Sequence, residues 1–324
     1  MTNLLITCTH LVRHIKDHSL FFENNSINFK AIAPENQQFS ASEMSKLLPG
    51  NDYIIAGDDV ISSDVIDKSI NGGLKAIIKW GIGVDNIDIS YARMKNIPVF
   101  NTPNVFGNEV AEQAISLILN LTRGTHLIDK EVRKGNWFKF EGTSLTSKKI
   151  GIVGFGSIGK AIAKRASAFE MEVMIYDPYI DQLKDFDNQY KFFDLEYLSS
   201  NCDFLVLACS LTKENKYLID EVLLSKMKND SYVINVSRGP LIKEDALIEA
   251  IINKKIKGAG LDVFEDEPLT LNSKILEVPN CILGSHNSSN TIDAVKRVNK
   301  MTLEMVLHLM NKNILNMFPD RIVN

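Results

Sequence analysis

The chain has 324 residues, of which 45% are apolar and 23% are charged, and its formal net charge at pH 7 is -4. This length and composition are typical of a globular protein with two domains. The small negative charge leaves no surplus of basic residues for a phosphodiester backbone, so no nucleic acid partner is expected.

The N-terminal segment, MTNLLITCTHLVRH, has a short apolar stretch but no basic leader and no small-residue cleavage site. It predicts a buried strand and not a signal peptide. No apolar run approaches the ~20 residues needed to cross a bilayer, so no membrane span is predicted. The cysteines are scattered without CxxC spacing, which favours a reducing cytoplasm; they are Cys8, Cys202, Cys209 and Cys281.

Three histidines near the N-terminus, His10, His14 and His18, are spaced four residues apart. On one helix they would share a face. Only Cys8 and Asp17 stand nearby as further metal ligands, so the pattern favours a solvated or cleft-lining face over a metal site. No metal is predicted.

Short apolar runs alternate with longer segments of helical period, which predicts βαβ units and parallel sheets covered by helices on both faces. Two series of strands, and hence two doubly wound sheets, are predicted. The first is NLLITC (3–8), FKAIA (29–33), YIIAG (53–57), LKAIIKW (74–80) and PVFN (98–101). The second is KIGIVGFG (149–156), EVMIYD (172–177), DFLVLAC (203–209), YVINVS (232–237), GAGLDVF (258–264) and CILGSH (281–286).

Two longer segments have the period of helices. Residues 108–137 carry apolar residues at helical spacing and contain no proline, which predicts one long helix that bridges the two sheets. Residues 287–314 have the same period, with Asn or Thr near the start as an N-cap. They are predicted to return the chain to the first domain.

A GxGxxG pattern, Gly154, Gly156 and Gly159, follows the apolar strand that begins at Lys149 and opens a segment of helical period. In this context the three glycines allow a tight turn, the approach of the backbone to a pyrophosphate, and close packing of helix on strand. Backbone N–H groups at the start of the helix, near Ser157 and Ile158, are predicted to face the phosphates.

Asp177 ends the strand that follows this helix. Its carboxylate is placed to accept hydrogen bonds from the hydroxyls of the adenosine ribose and to repel a 2′-phosphate. Pro178 and Tyr179 add no compensating cation. The cofactor predicted from these residues is therefore NAD.

Three other strands of the second series end in polar residues: INVSRGP with Arg238, LDVFEDEP with Asp262 and Glu267, and ILGSHNS with His286. Ligands of a doubly wound sheet lie at the carboxyl ends of its strands, so these side chains are expected to converge. An arginine can bind a substrate carboxylate, and a histidine supported by a carboxylate can donate a proton near neutral pH.

The chain resembles the D-isomer-specific 2-hydroxyacid dehydrogenases and is most similar to their D-3-phosphoglycerate dehydrogenase branch. The resemblance rests on AIIKWGIGVDNIDISYA, NTPNVFGNEVAEQAISLIL, the GxGxxG motif, INVSRGPLIKEDALIEAI, GAGLDVFEDEPL and PNCILGSHNS, in that order. It implies a Rossmann-type NAD domain, residues 101–287, inserted into a flavodoxin-like substrate-binding domain of residues 1–100 and 288–324. The implied activity is the NAD-dependent interconversion of a D-2-hydroxy acid and its 2-keto acid, with D-3-phosphoglycerate and 3-phosphohydroxypyruvate as a candidate pair.

The resemblance also implies roles for single residues. Arg238, Glu267 and His286 would be catalytic, Asp262 would lie by the nicotinamide, and Glu265 and Asp266 are expected to be solvated. Further predicted cofactor contacts are Cys209, Thr212 and Val236. Predicted substrate contacts are Lys79, which would bind a distal phosphate, Trp80, which would wall the pocket, Gly81, Ile82 and Gly83, which would bind the carboxylate, Asn108, and Arg238. A homodimer is predicted, since the family associates through the equivalent of the helix from Asn108.

Two departures from the family pattern concern the pocket. NSSN (287–290) follows His286 in place of an apolar residue and then small residues, and LACSLT has Cys209 and Ser210 where His or another residue and Pro are more usual. Glu267 stands where the related formate dehydrogenases carry Gln, which argues against that branch. The alternative function is an NAD(H)-sensing binding protein or corepressor of the same fold, which would bind NADH without turnover.

Overall fold

A computed structural model describes residues 1–179, 190–311 and 322–323. The chain divides into two compact units, residues 1–105 with 291–324, and residues 106–290. These boundaries lie three to five residues beyond the predicted domain boundaries. Residues 180–189, 312–321 and 324, which the predictions assign to one domain or the other, lie outside the described residues, as does the end of the predicted helix 287–314.

The first unit contains a five-stranded sheet in the order β2-β1-β3-β4-β5. All pairings between these strands are parallel. The strands are β1 Thr2–Ile6, β2 Ile27–Ala31, β3 Tyr53–Ala56, β4 Ala76–Lys79 and β5 Val99–Phe100. The helices between them are α1 Thr9–Arg13, α2 Ser19–Asn24, α3 Ala41–Leu47, α4 Ser63–Asn71 and α5 Ile89–Met94.

This strand order is that of the flavodoxin-like sheets, whose direction of winding reverses between β1 and β3. β3 and β4 are buried along their whole length, as expected of apolar strands covered by helices on both faces. The point of reversal matters for function because ligands of such sheets bind outside the carboxyl ends of the two strands that flank it.

The second unit contains a seven-stranded sheet in the order β12-β11-β10-β9-β6-β7-β8, again with parallel pairings between the strands. Counted from β6, this is the Rossmann order with an added strand. The strands are β6 Lys149–Val153, β7 Glu172–Tyr176, β8 Lys191–Phe192, β9 Phe204–Leu207, β10 Tyr232–Asn235, β11 Gly258–Leu261 and β12 Cys281–Leu283. The helices are α6 Gly107–Arg123, α7 Thr125–Arg133, α8 Ser157–Ala168, α9 Leu195–Asn201, α10 Glu221–Lys226 and α11 Glu244–Ile252.

The chain then re-enters the first unit through α12, Ile292–Met310, whose first turn is capped by the Thr291 side chain. The predicted fold class, two doubly wound parallel-sheet domains, is confirmed. The short strand β8 had no counterpart among the predicted strands, and β2 begins two residues earlier than FKAIA.

The prediction of a single helix over 108–137 is wrong. α6 ends at Arg123, and α7 begins after Gly124, which has a left-handed backbone with φ 60°. A Cβ on Gly124 would lie 2.6 Å from the ring of Phe140. The glycine is therefore needed both for the backbone conformation and for the space that the ring occupies.

The three N-terminal histidines do not share one helix face. Helix α1 ends at Arg13, and the backbone of His14 is not helical, with φ -104° and ψ 15°. A short 3-10 helix, Ile15–His18, follows. In the described part of the chain, no three His, Cys, Asp or Glu residues are grouped to hold a metal ion. None of the helices described there has the length and apolar content to cross a membrane.

Candidate active site

The glycine-rich turn after β6 has the geometry that a dinucleotide requires. Gly154 has φ 95°, and a Cβ there would lie 2.7 Å from the backbone of Cys209. A Cβ on Gly159 would lie 2.0 Å from the carbonyl oxygen of Gly154, so only glycine lets α8 approach the turn. Gly156, the N-cap of α8, has no atom within 4 Å of its Cβ position. The space over the predicted pyrophosphate site is therefore open.

Asp177, at the end of β7, is joined to this turn. Its Oδ2 accepts a hydrogen bond from the Phe155 N–H at 2.7 Å, and its Oδ1 accepts one from the Tyr179 N–H at 2.9 Å. A carboxylate oxygen has more than one lone pair, so both oxygens can still accept a ribose hydroxyl. The turn and the acidic strand end fit a dinucleotide without a 2′-phosphate.

The other predicted cofactor residues lie on loops of the same sheet. Burial raises the pKa of the Cys209 thiol to about 11, so it stays protonated at neutral pH. The Cys209 carbonyl oxygen accepts a hydrogen bond from the Ser237 hydroxyl, which joins the loops after β9 and β10. Val236 is buried. Thr212 is exposed, and its N–H donates to Asn215 Oδ1 at 2.7 Å.

Arg238 lies on a turn after β10 that a buried amide organises. Asn235 is fully buried, and its Nδ2 donates to the Arg238 carbonyl oxygen at 2.9 Å, while its Oδ1 accepts from the Ser237 N–H at 3.1 Å. A Cβ on Gly239 would lie 1.8 Å from the Phe264 carbonyl oxygen, so the turn packs directly against the LDVFEDEP segment. Asn235 was not among the predicted site residues; its signal in the sequence is an amide at the end of an apolar strand.

Glu267 and His286 are in contact. The Oε2 atom of Glu267 lies 2.7 Å from Nδ1 of His286, and both side chains are mostly buried, with exposed fractions of 20% and 28%. The other carboxylate oxygen accepts a hydrogen bond from the Phe264 N–H at 2.9 Å. The carboxylate is thus held on one side by the backbone and contacts the imidazole on the other.

Asp262 holds the loop that carries His286. Its side chain is 1% exposed, and its Oδ1 accepts from the Asn287 N–H at 3.0 Å. Its Oδ2 accepts from the Ser288 N–H at 2.8 Å and from the Ser288 hydroxyl. The His286 N–H donates to the Asp262 carbonyl oxygen at 2.7 Å, and His286 has a left-handed φ of 54°. A Cβ on Gly284 would lie 2.2 Å from Asp262 Oδ1. These contacts give Asp262 a positioning role in the loop; the predicted contact with the nicotinamide stays a prediction.

The remaining acids of the LDVFEDEP segment differ from each other. Asp266 is exposed, as expected of a solvated charge. Glu265 is partly buried, because its Oε1 accepts from the Glu244 N–H at 2.6 Å and its Oε2 from the Tyr217 hydroxyl at 3.0 Å. The expectation that Glu265 is solvated is therefore wrong.

In the first unit, residues 81–83 form a loop held by the residues after β5. Gly81, with φ 131°, donates its N–H to Thr102 Oγ1 at 3.0 Å and accepts from the Thr102 N–H at 2.9 Å. Asn101 Nδ2 donates to the Ile82 carbonyl oxygen at 2.8 Å. Within the described residues, the N–H groups of Ile82 and Gly83 have no hydrogen-bond partner. Two such donors on a fixed loop suit a carboxylate.

Lys79 and Asn108 are placed differently from the predictions. The Lys79 side chain is 3% exposed, and its Nζ lies 2.6 Å from Asp58 Oδ1 and donates to the Gly57 carbonyl oxygen. Its charge is therefore balanced inside the unit, which counts against a contact with a distal phosphate. Asn108 Oδ1 accepts a hydrogen bond from Arg165 Nη2 at 3.2 Å, which joins α6 to α8. This contact gives Asn108 a structural role instead.

Trp80 is also buried, at 6% exposed, so it does not form an open wall of a pocket. Its Nε1–H donates to Asn299 Oδ1 at 2.8 Å. The ring of His10 is stacked on the indole, with centroids 4.5 Å apart and an angle of 26° between the planes. The indole therefore serves as a platform for His10.

A Rossmann-order sheet with this glycine turn, an acidic strand end, and arginine, glutamate and histidine at three other strand ends defines a nicotinamide-dinucleotide oxidoreductase. Residues 115–288 match the family model for D-isomer specific 2-hydroxyacid dehydrogenase, NAD binding domain. The chain belongs to this family, and NAD is its cofactor.

Relatives along most of the chain agree with this assignment. The hydroxypyruvate reductase of Thermotoga maritima is 33% identical over 86% of this chain and 92% of its own length. The glyoxylate reductase of Thermofilum pendens is 38% identical over 81% of each chain. Among solved structures, the D-lactate dehydrogenase of Aquifex aeolicus in complex with NAD and lactic acid has a TM-score of 0.85, with 26% identity and 99% of both chains covered.

Proposed function

We propose that the protein is an NAD-dependent reductase of short, unphosphorylated 2-keto acids such as hydroxypyruvate and glyoxylate, which it interconverts with their D-2-hydroxy acids. The observation that carries the proposal is the 2.7 Å contact between Glu267 and Nδ1 of His286, together with the Arg238 turn packed against the same segment. A neutral-pH acid and a carboxylate-binding cation are the two groups that keto-acid reduction requires.

Each side chain has one task in this proposal. Arg238 binds the carboxylate and orients the carbonyl through its planar fork of donors. His286 donates a proton from Nε2 to the carbonyl oxygen as negative charge develops there. Glu267 stays against Nδ1 and stabilises the imidazolium before transfer. NADH, when bound, supplies the hydride to the carbonyl carbon. The N–H groups of Ile82 and Gly83, in the first unit, are proposed to donate to this same carboxylate.

The choice of an unphosphorylated substrate rests on charge. The candidate predicted from the sequence, 3-phosphohydroxypyruvate, needs a cation for its phosphate, and Lys79 was the residue expected to supply it. The pairing of Lys79 with Asp58 removes that cation. The names of two relatives, a hydroxypyruvate reductase and a glyoxylate reductase, also favour the smaller keto acids. The phosphorylated keto acid remains the alternative substrate.

The test is NADH oxidation with glyoxylate, hydroxypyruvate, pyruvate and 3-phosphohydroxypyruvate. The unphosphorylated acids should be turned over faster than the phosphorylated one. His286→Gln should lower kcat by at least ~100-fold, the lower range for a general acid, with the Kd for NADH unchanged. His14→Gln, at an exposed histidine paired with Asp17, is the matched control and should leave kcat unchanged. NADH binding without turnover of any keto acid would overturn the proposal and favour an NAD(H)-sensing protein.

We also propose a homodimer that forms through α6, α7 and α8. Between these helices lies an open groove with a volume of about 740 Å³. Four of its lining residues are apolar: Ile115, Leu119, Ile128 and Phe169. Nearby in sequence, Trp137 is 85% exposed. A second copy of the chain would cover such apolar side chains with the same surface. Sedimentation that finds only monomers at micromolar concentration would contradict the proposed dimer.

We also propose a cytoplasmic location, because the cysteines are scattered without CxxC spacing.

A further inference from the structure

The carboxyl ends of β1 and β3 flank the point where winding reverses in the first unit's sheet. This is the place where doubly wound sheets bind ligands. His10 follows β1, Asp58 follows β3, and Lys79 ends the neighbouring strand β4. These residues belong to neither the dinucleotide turn nor the Arg238, Glu267 and His286 group.

The ring of His10 is fixed at this edge of the sheet, and its two nitrogens are available to bind a ligand. Its ring lies on Trp80, and the hydrogen bond from Trp80 to the buried Asn299 fixes the plane of the indole. No residue of the described chain makes a hydrogen bond with the ring nitrogens of His10. An imidazole that is partly buried and stacked in one orientation loses little conformational freedom when it binds a ligand.

The charges near His10 are the Lys79–Asp58 ion pair and the cation Arg13. Lys79 and Asp58 form an ion pair in which the lysine side chain is 3% exposed and the aspartate side chain 51% exposed. The carboxylate is therefore the solvent-exposed member of the pair. Burial, reinforced by the charge of Arg13, lowers the pKa of His10 below its ordinary value. At neutral pH the ring therefore carries one N–H donor and one acceptor nitrogen. Such a ring suits a hydroxyl group, which can both donate and accept a hydrogen bond.

We propose that His10 is a specificity residue that recognises an uncharged hydroxyl on carbon 3 of the 2-keto acid, as in hydroxypyruvate. This inference rests on the function proposed above. The His10 ring is stacked on Trp80. Trp80 directly precedes the loop 81–83, whose N–H groups suit the substrate carboxylate. In hydroxypyruvate the hydroxyl and the carboxylate are only two carbons apart, so both can be bound at one strand edge.

The test compares hydroxypyruvate with pyruvate, which differ by that one hydroxyl. In the wild type, kcat/KM should be at least about tenfold higher for hydroxypyruvate, the effect of one hydrogen bond that leaves a partner unsatisfied when absent. His10→Phe keeps a ring that can stack on Trp80 and removes both nitrogens. It should lower kcat/KM for hydroxypyruvate about tenfold and leave the value for pyruvate within about twofold. His14→Phe, at an exposed histidine paired with Asp17, is the control and should leave both values unchanged.

The outcomes separate the two proposals. A wild type that turns over no keto acid overturns the proposed function. A wild type that is active but has equal kcat/KM for the two substrates overturns the role of His10 only, and this result does not depend on whether a variant folds. Equal losses on both substrates in His10→Phe, with NADH affinity and thermal midpoint as in the wild type, also overturn it. A loss confined to hydroxypyruvate supports it.

Discussion

Replacing Asp262 by Asn tests whether this acid positions the catalytic loop or contacts the cofactor. The carboxylate accepts three hydrogen bonds, one at Oδ1 and two at Oδ2. Asparagine keeps a single oxygen. If that oxygen faces Ser288, the new NH2 group faces the Asn287 N–H. Two hydrogen-bond donors then face each other and neither has an acceptor. One hydrogen bond to a charged acceptor is lost and one N–H is left unsatisfied, which together cost about 2 to 4 kcal/mol.

For a chain of 324 residues, whose unfolding entropy is roughly 2.1 cal/mol/K per residue, that loss should lower the thermal midpoint by about 3 to 6 °C. A displaced His286 should also lower kcat, by about 10- to 100-fold, because errors of ~1 Å in position can have such effects. The Kd for NADH should stay within about threefold. Calorimetry, steady-state kinetics and NADH fluorescence measure the three quantities. Asp266→Asn, at an exposed acid four residues away, should change none of them. An unchanged midpoint and kcat with a much weaker NADH affinity would refute the reasoning and restore the predicted nicotinamide contact.

Two further predictions concern the other acids. Glu267→Gln should move the alkaline limb of the pH profile for keto-acid reduction about one unit or more to lower pH, because the protonated His286 loses its carboxylate partner; an unmoved limb would contradict the assigned pair. Asp177→Asn keeps an acceptor for the Phe155 N–H but removes the charge, so kcat/KM for NADPH relative to NADH should rise about tenfold. Equal use of both cofactors by the wild type would contradict the role of Asp177.

Much of the second unit could be predicted because its signals are local in the chain. The glycines after β6 and Asp177 after β7 lie within one βαβ unit, so their spacing alone predicts their proximity. The contact between Glu267 and His286 followed from a general property of parallel sheets, whose strands end at the same edge. Neither inference required knowledge of how side chains pack.

Features that depend on tertiary partners could not be predicted in the same way. Lys79 was predicted to bind a distal phosphate, and only the fold brings Asp58 to it from the end of another strand. An isolated glycine is tolerated within helices, so the sequence alone does not show that α6 ends before Gly124, where the Phe140 ring packs. His10 was recognised only as one of three evenly spaced histidines, because its stacking on Trp80 joins residues far apart in sequence.

The division of the chain into two units has an evolutionary consequence. Arg238, Glu267 and His286 are all encoded within residues 106–290, whereas His10 and the loop 81–83 belong to the other unit. The residues proposed for the reaction and those proposed for the substrate preference therefore lie in separate stretches of the chain. A recombination event with crossovers at 105/106 and 290/291 would transfer one without the other. Selection could diversify the keto acids used by such enzymes by exchanging the outer segments and leaving the inherited reaction chemistry unaltered.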